Sequence, residues 1–200
     1  MIYLDAGATT LQKPHAVALA VQSAMRRMAT PGRGGHPPAM RAADAVYDCR
    51  CLAGALFDAQ PEQVVFTMNA THALNLAIKT LVKPGGRAVI SGFEHNAVLR
   101  PLHHLGAEII VAGRRLFDPD DTIEGFRAAI TENTKAVVCT HVSNVFGYLL
   151  PAQEIAELCA AAHVPLIVDA SQAAGCVALD ASALGAAFVA MPGHKGLLGP

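Results

Sequence analysis

Apolar and polar positions follow two rhythms along this chain. Val17, Val21, Ala24, Met25 and Met28 recur at helical spacing, and Pro14 suits the first turn of that helix. The stretch Pro31-Gly32-Arg33-Gly34-Gly35-His36-Pro37-Pro38 is too rich in glycine and proline for regular structure and reads as a break. A second helix follows, with Ala42, Val46, Cys49, Ala53 and Leu56 on one face. Short β-branched or apolar runs then read as strands at 64–66, 88–90, 109–111, 136–139 and 166–168, with a further run at 187–190. Helical stretches at 71–81, 96–105, 123–130 and 152–162 lie among them. Buried runs alternating with helices predict βαβ units, an α/β fold with a mainly parallel sheet flanked by helices.

Composition narrows the picture. A length of 200 residues with 52% hydrophobic content is enough for one sizeable core. Fifteen basic residues nearly balance sixteen acidic ones, with no polybasic run, so nucleic acid and an anionic membrane surface are not expected as partners. The longest apolar run, 183–192, is too short to span a bilayer, and Met1-Ile2-Tyr3-Leu4-Asp5 does not resemble a secretory leader. Cys49, Cys51, Cys139, Cys159 and Cys176 form an odd set without a CxxC pair; they read as reduced thiols of a cytoplasmic protein.

In such a sheet, ligands bind where strand ends meet helix starts. Three places stand out. Thr67-Met68-Asn69-Ala70-Thr71-His72 opens a helix, where free N–H groups and the dipole suit a phosphate, although Asn69 or Thr71 also serves as a plain N-cap. Asp169 ends the run Leu166-Ile167-Val168, where a carboxylate needs a partner or caps the next helix. Lys195 follows the run at 187–190, and a lysine there reaches either a ligand or solvent. No GxxxxGK[ST] loop occurs, and Gly32-Arg33-Gly34 lacks the context of a dinucleotide fingerprint. His15, His103, His104 and His163 read as solvated helix positions. His72 sits in the helix-opening turn, and His141 follows a strand. None of these shows paired metal-ligand spacing, so no metal site is expected.

Six motifs occur in order: Leu4-Asp5-Ala6-Gly7-Ala8-Thr9-Thr10, Asn69-Ala70-Thr71-His72-Ala73-Leu74-Asn75, Glu94-His95-Asn96, Ser143-Asn144-Val145-Phe146-Gly147, Asp169-Ala170-Ser171-Gln172 and Gly193-His194-Lys195. Together they resemble the class V aminotransferase family, in particular its cysteine desulfurase and selenocysteine lyase branch. The resemblance implies the type I fold of pyridoxal 5'-phosphate (PLP) enzymes. It makes residues 1–30 a contribution to a small domain and 31–200 an incomplete large PLP-binding domain. It also implies roles. Lys195 would hold PLP as a Schiff base and then move the substrate Cα proton, while Asp169 would pair with the pyridinium nitrogen. His95 would stack on the ring, Gln172 would donate to the ring's phenolate oxygen, and Asn144 would lie beside the ring. Ala70 and Thr71 would hold the phosphate, with a further contact from His194.

Some positions depart from the family pattern. Pro192 stands where many relatives have Ser or Thr, Ala6 where Asn is usual, and Thr30 where Asn usually precedes the Pro-Gly-Arg-Gly run. Relatives continue for about as long again, so the C-terminal part of the fold is missing from these 200 residues, which alone are expected to be inactive. None of the five cysteines matches the family's sulfur-accepting loop cysteine. The resemblance implies a homodimer that turns L-cysteine into L-alanine and an enzyme persulfide for a sulfur-acceptor protein. A class V aminotransferase, or a catalytically silent remnant of the fold with a binding role, remains an alternative.

Overall fold

The computed structural model describes residues 2–200. The chain forms two compact units, Met1–Phe66 with Gly193–Pro200, and Thr67–Pro192.

The first unit contains α1 (His15–Arg27), α2 (Pro37–Phe57) and a 3-10 turn at Pro61–Gln63. Helix α2 starts inside the stretch expected to be a break. Pro37 and Pro38 occupy its first turn, where a missing N–H costs no hydrogen bond. Of the face expected for α2, only Ala42 is buried; Ala39, Gly54 and Phe57 join it, while Val46 and Leu56 stay exposed. The strand expected at 64–66 does not form. Val64 N closes the 3-10 turn on Pro61 O, Val65 and Phe66 are 72% and 52% exposed, and no described residue pairs with this segment in a ladder. An apolar β-branched run is a strand only when a neighbouring strand takes its hydrogen bonds.

The second unit is a three-layer α/β structure. Its strands are β1 (Arg87–Ser91), β2 (Glu108–Ala112), β3 (Thr134–Thr140), β4 (Leu166–Asp169) and β5 (Phe188–Ala190), all parallel, in the order β2-β1-β3-β4-β5. The connections run through α4 (Asn96–His104), α5 (Pro119–Ala129), α6 (Ala152–Ala161) and α7 (Ala181–Leu184), with α3 (Ala70–Leu81) preceding β1. Helix α5 starts earlier than its apolar pattern suggests, because Asp118 accepts from Asp121 N and Pro119 takes the first position. Leu74, Ile78, Val98 and Leu102 of α3 and α4 pack on Ala88, Ile90, Val138 and Ile167 from one face of the sheet. On the other face α5 and α6 bury Phe126 and Ile155 against the strands. Each fully buried side chain of this size contributes about 1.5–3 kcal/mol, which is why the strands read as continuous apolar runs.

Two glycines set how closely α5 approaches the sheet. A Cβ on Gly125 would lie 2.5 Å from Gly113 N, and one on Gly113 would lie 2.7 Å from Thr122 Cα. Gly113 also has φ +67° and accepts from Gly92 N at 3.1 Å, so this contact adjoins the turn after β1. Ala is ordinarily favoured over Gly inside a helix by about 1 kcal/mol. Here Gly125→Ala forces backbone apart and is expected to destabilise the protein by about 2 kcal/mol, read as a lowered midpoint in urea unfolding. An unchanged or raised midpoint would contradict the close approach.

Candidate active site

The carboxyl ends of the strands gather the polar residues of the second unit. β1 and β3 are neighbours although β2 lies between them in the chain, so the winding reverses there, and crevices form at such reversals. Ser91 ends β1, Thr140 ends β3 and Asp169 ends β4; all three are buried. Glu94 bridges the crevice. Its Oε1 accepts from Ser91 Oγ at 2.5 Å and from Thr140 N at 2.6 Å, while its buried Oε2 has no partner. Burial pushes the Glu94 carboxyl up to about 8; the hydrogen bonds from Ser91 and Thr140 oppose that rise, and the charge of Asp169 adds to it. Glu94 therefore carries a proton at neutral pH.

His95, the next residue, is exposed and caps α4. Its Nδ1 accepts from Ala97 N at 3.1 Å, which leaves Nε2 as the ring's proton-bearing nitrogen in the neutral form. Phe93 stacks edge-on against Tyr148 at 5.2 Å and Phe146 at 6.3 Å, joining the turn after β1 to the loop after β3. In that loop Asn144 is exposed, between the buried Ser143 and a turn closed by Gly147 N on Ser143 O.

Asp169 is 3% exposed. Its Oδ1 accepts from Ser171 N at 2.9 Å, and its carbonyl accepts from His141 N at 2.9 Å. Burial lowers the pKa of His141, whose Nδ1 is buried without a partner. Gln172 is half-buried three residues beyond Asp169. At the start of α3, Asn69 Oδ1 accepts from His72 N at 2.8 Å. The first-turn N–H groups of Ala70 and Thr71 have no acceptor among the described residues. The His72 ring folds back over this helix start, its Nδ1 accepting from Met68 N at 3.4 Å. His194 and Lys195 belong to the first unit, in a turn closed by Gly199 N on Gly193 O at 2.7 Å and Leu198 N on Lys195 O at 2.9 Å.

A family model described as aminotransferase class-V matches residues 2–200. The chain belongs to the class V aminotransferase family. It is 30% identical to a probable cysteine desulfurase from Methanothermobacter thermautotrophicus, with 100% of this chain and 50% of that protein covered. It is 32% identical to the cysteine desulfurase IscS of Vibrio cholerae, with 97% and 50% covered. The structure of the apo cysteine desulfurase from Thermococcus onnurineus NA1 superposes with a TM-score of 0.87 at 28% identity, covering 100% of this chain and 51% of that one. The chain thus spans about half the length of the curated relatives it matches. The type I PLP fold expected from the motifs is the fold observed.

Members of the class V family are PLP-dependent. The residues present fit that cofactor. Within the second unit, the free N–H groups of Ala70 and Thr71 suit a phosphate at a helix start, and Asp169 offers a buried carboxylate to a ring cation. Among the described residues, no group of three or more His, Cys, Asp or Glu could hold a metal, and no helix is long and apolar enough to cross a membrane.

Motif reading left three site residues without a role. Glu94 appeared only as the companion of His95, and Ser91 and Thr140 lay one residue beyond the runs read as strands at 88–90 and 136–139. An acidic residue three positions beyond a buried strand and two beyond a glycine was the available signal. Folding raises the proton affinity of Glu94, so its stabilising contribution is complete below its ordinary value of 4.5 and is lost as pH rises to about 8. The stability of wild type relative to Glu94→Gln is therefore expected to fall across that window by up to about 1.4 kcal/mol per pH unit. Urea unfolding at several pH values measures it; a difference that stays flat or rises would show an ionised Glu94.

Proposed function

We propose that this chain is the PLP-binding part of a cysteine desulfurase-like enzyme that converts L-cysteine to L-alanine and passes the sulfur to an enzyme cysteine as a persulfide. The observation that carries this reading is the buried Asp169 at the end of β4, in a sheet whose neighbouring helix opens on unpartnered N–H groups. Kinship with named cysteine desulfurases supports the choice of substrate.

When bound, PLP supplies an electron sink for the pair left at the substrate Cα. Ala70 and Thr71 would hold its phosphate, with His194 as a further contact. Asp169 would pair with the ring nitrogen, Gln172 would donate to the phenolate oxygen, and Asn144 would orient the substrate. Lys195 would hold the cofactor through its amine and serve as the base for the substrate Cα proton on Nζ. His95 would pack on the ring, with Nε2–H available to the substrate.

Cys139 and Cys159 are ill suited to accept sulfur. Burial pushes the thiol of Cys139 well above its ordinary value and that of Cys159 to about 12, which leaves both protonated and poorly nucleophilic. Five free thiols suit a cytoplasmic enzyme; a homodimer that hands sulfur to an acceptor protein is what the family resemblance implies.

The test uses the full-length protein with PLP, L-cysteine and a thiol reductant, following sulfide and alanine together. Equal amounts of both are expected. Asp169→Asn should retain PLP yet lose on the order of 100-fold in kcat, about 2.7 kcal/mol of barrier. Pyruvate in place of alanine, or near-native turnover of the Asn variant with PLP bound, would contradict the reading.

A further inference from the structure

Four donors converge on one backbone oxygen in the first unit. The carbonyl of His194, which forms the peptide bond to Lys195, accepts from Lys13 Nζ at 2.8 Å and from the hydroxyls of Thr9 and Thr10 at 3.1 Å each. Thr10 N adds a longer contact at 3.3 Å. Lys13 Nζ also donates to Thr10 Oγ1 at 2.6 Å, so one ammonium holds both the carbonyl and a hydroxyl bound to it. Thr9 Oγ1 lies 3.1 Å from His194 Nδ1 and ties the same residue by its side chain.

A carbonyl oxygen has two lone pairs, so these donors share it unequally. The short, charge-assisted bond from Lys13 is the strongest of them. Lys13 is half-buried and makes no ion pair with a carboxylate among the described residues. Its charge is directed at a peptide group rather than at an acid. A change in ψ of His194 that φ of Lys195 does not offset would break the Lys13 bond and swing the Cα–Cβ bond of Lys195. The turn beyond, closed by Gly199 N on Gly193 O and Leu198 N on Lys195 O, takes its acceptors from the peptides on either side of this one.

We propose that Lys13 is a positioning residue for Lys195: it locks the His194–Lys195 peptide and so sets the direction in which the Lys195 amine leaves the backbone. The proposal rests on the reading of Lys195 as the amine that links to PLP. No separate lysine-to-cofactor contact is assigned to Lys13, whose Nζ is committed to His194 O and Thr10 Oγ1. Misplacing a reacting group by about 1 Å can cost on the order of 100-fold in rate, so a clamp one residue away has a large lever.

The test compares Lys13→Met, Lys13→Arg and Thr10→Val with wild type in the full-length protein, and uses two readouts. Amide hydrogen exchange at Leu198 and Gly199 reports the turn. The rate at which cofactor-free protein gains visible absorbance on adding PLP reports the Lys195 amine. Lys13→Met is expected to speed exchange about tenfold, the loss of one charge-assisted hydrogen bond. It should slow the absorbance change by about tenfold or more at saturating PLP. Lys13→Arg, which keeps a cationic donor, restores most of both, and Thr10→Val moves both in the same direction by less, which keeps the test alive if Lys13→Met does not fold. Unchanged exchange overturns the clamp. Faster exchange with an unchanged rate of PLP linkage makes Lys13 merely structural and overturns its positioning role. Lys195→Ala separates the two readings: if it still gains the absorbance, Lys195 is not the linking amine, and exchange at Leu198 and Gly199 still decides the clamp.

Discussion

The second unit depends on what happens to polar groups at the dry end of a parallel sheet. Strands buried on both faces carry their backbone and side-chain polarity to their carboxyl ends, where each group must find a partner or hold a proton. Glu94 answers for two strands at once by joining Ser91 of β1 to Thr140 of β3 across the reversal in winding. Two carboxyl groups in one poorly solvated region repel when both ionise. Glu94 keeps its proton there, beside Asp169 as the second buried carboxyl at the sheet end.

The same turn connects that charge arrangement to His95. Ser91 Oγ accepts from Phe93 N at 3.2 Å while donating to Glu94, and Phe93 wedges edge-on against Tyr148. The backbone therefore reaches His95 in a direction held by a hydrogen-bond chain on one side and aromatic packing on the other. His95 then spends Nδ1 on the α4 start, which selects its tautomer. In the first unit a comparable economy applies to Lys195. Its backbone is held by neighbours in space that are distant in sequence, Thr9, Thr10 and Lys13.

Much of this was legible in the chain. Runs such as Leu166–Val168 and Ala136–Cys139 are strands because both faces are covered, and the periodic apolar positions of 71–81 and 152–162 became α3 and α6 nearly residue for residue. Asp169 announced itself as an acid at the end of a buried run. What escaped depended on partners that no local pattern specifies. Val64, Val65 and Phe66 have strand-like side chains but no pairing neighbour among the described residues. The helix-breaking reputation of Pro37 and Pro38 does not extend to a first turn. Glu94 and Lys13 look like ordinary surface charges in sequence; only the fold shows that one carboxyl oxygen is sealed from water and that one ammonium lies on the carbonyl of His194.

Borohydride reduction of the full-length protein with PLP bound, followed by proteolysis and mass spectrometry, tests most directly the proposal that Lys195 is the cofactor-bearing amine. A single reduced adduct is expected on the peptide containing Lys195, absent from Lys195→Ala. An adduct on Lys13, Lys79 or Lys135 instead would contradict it.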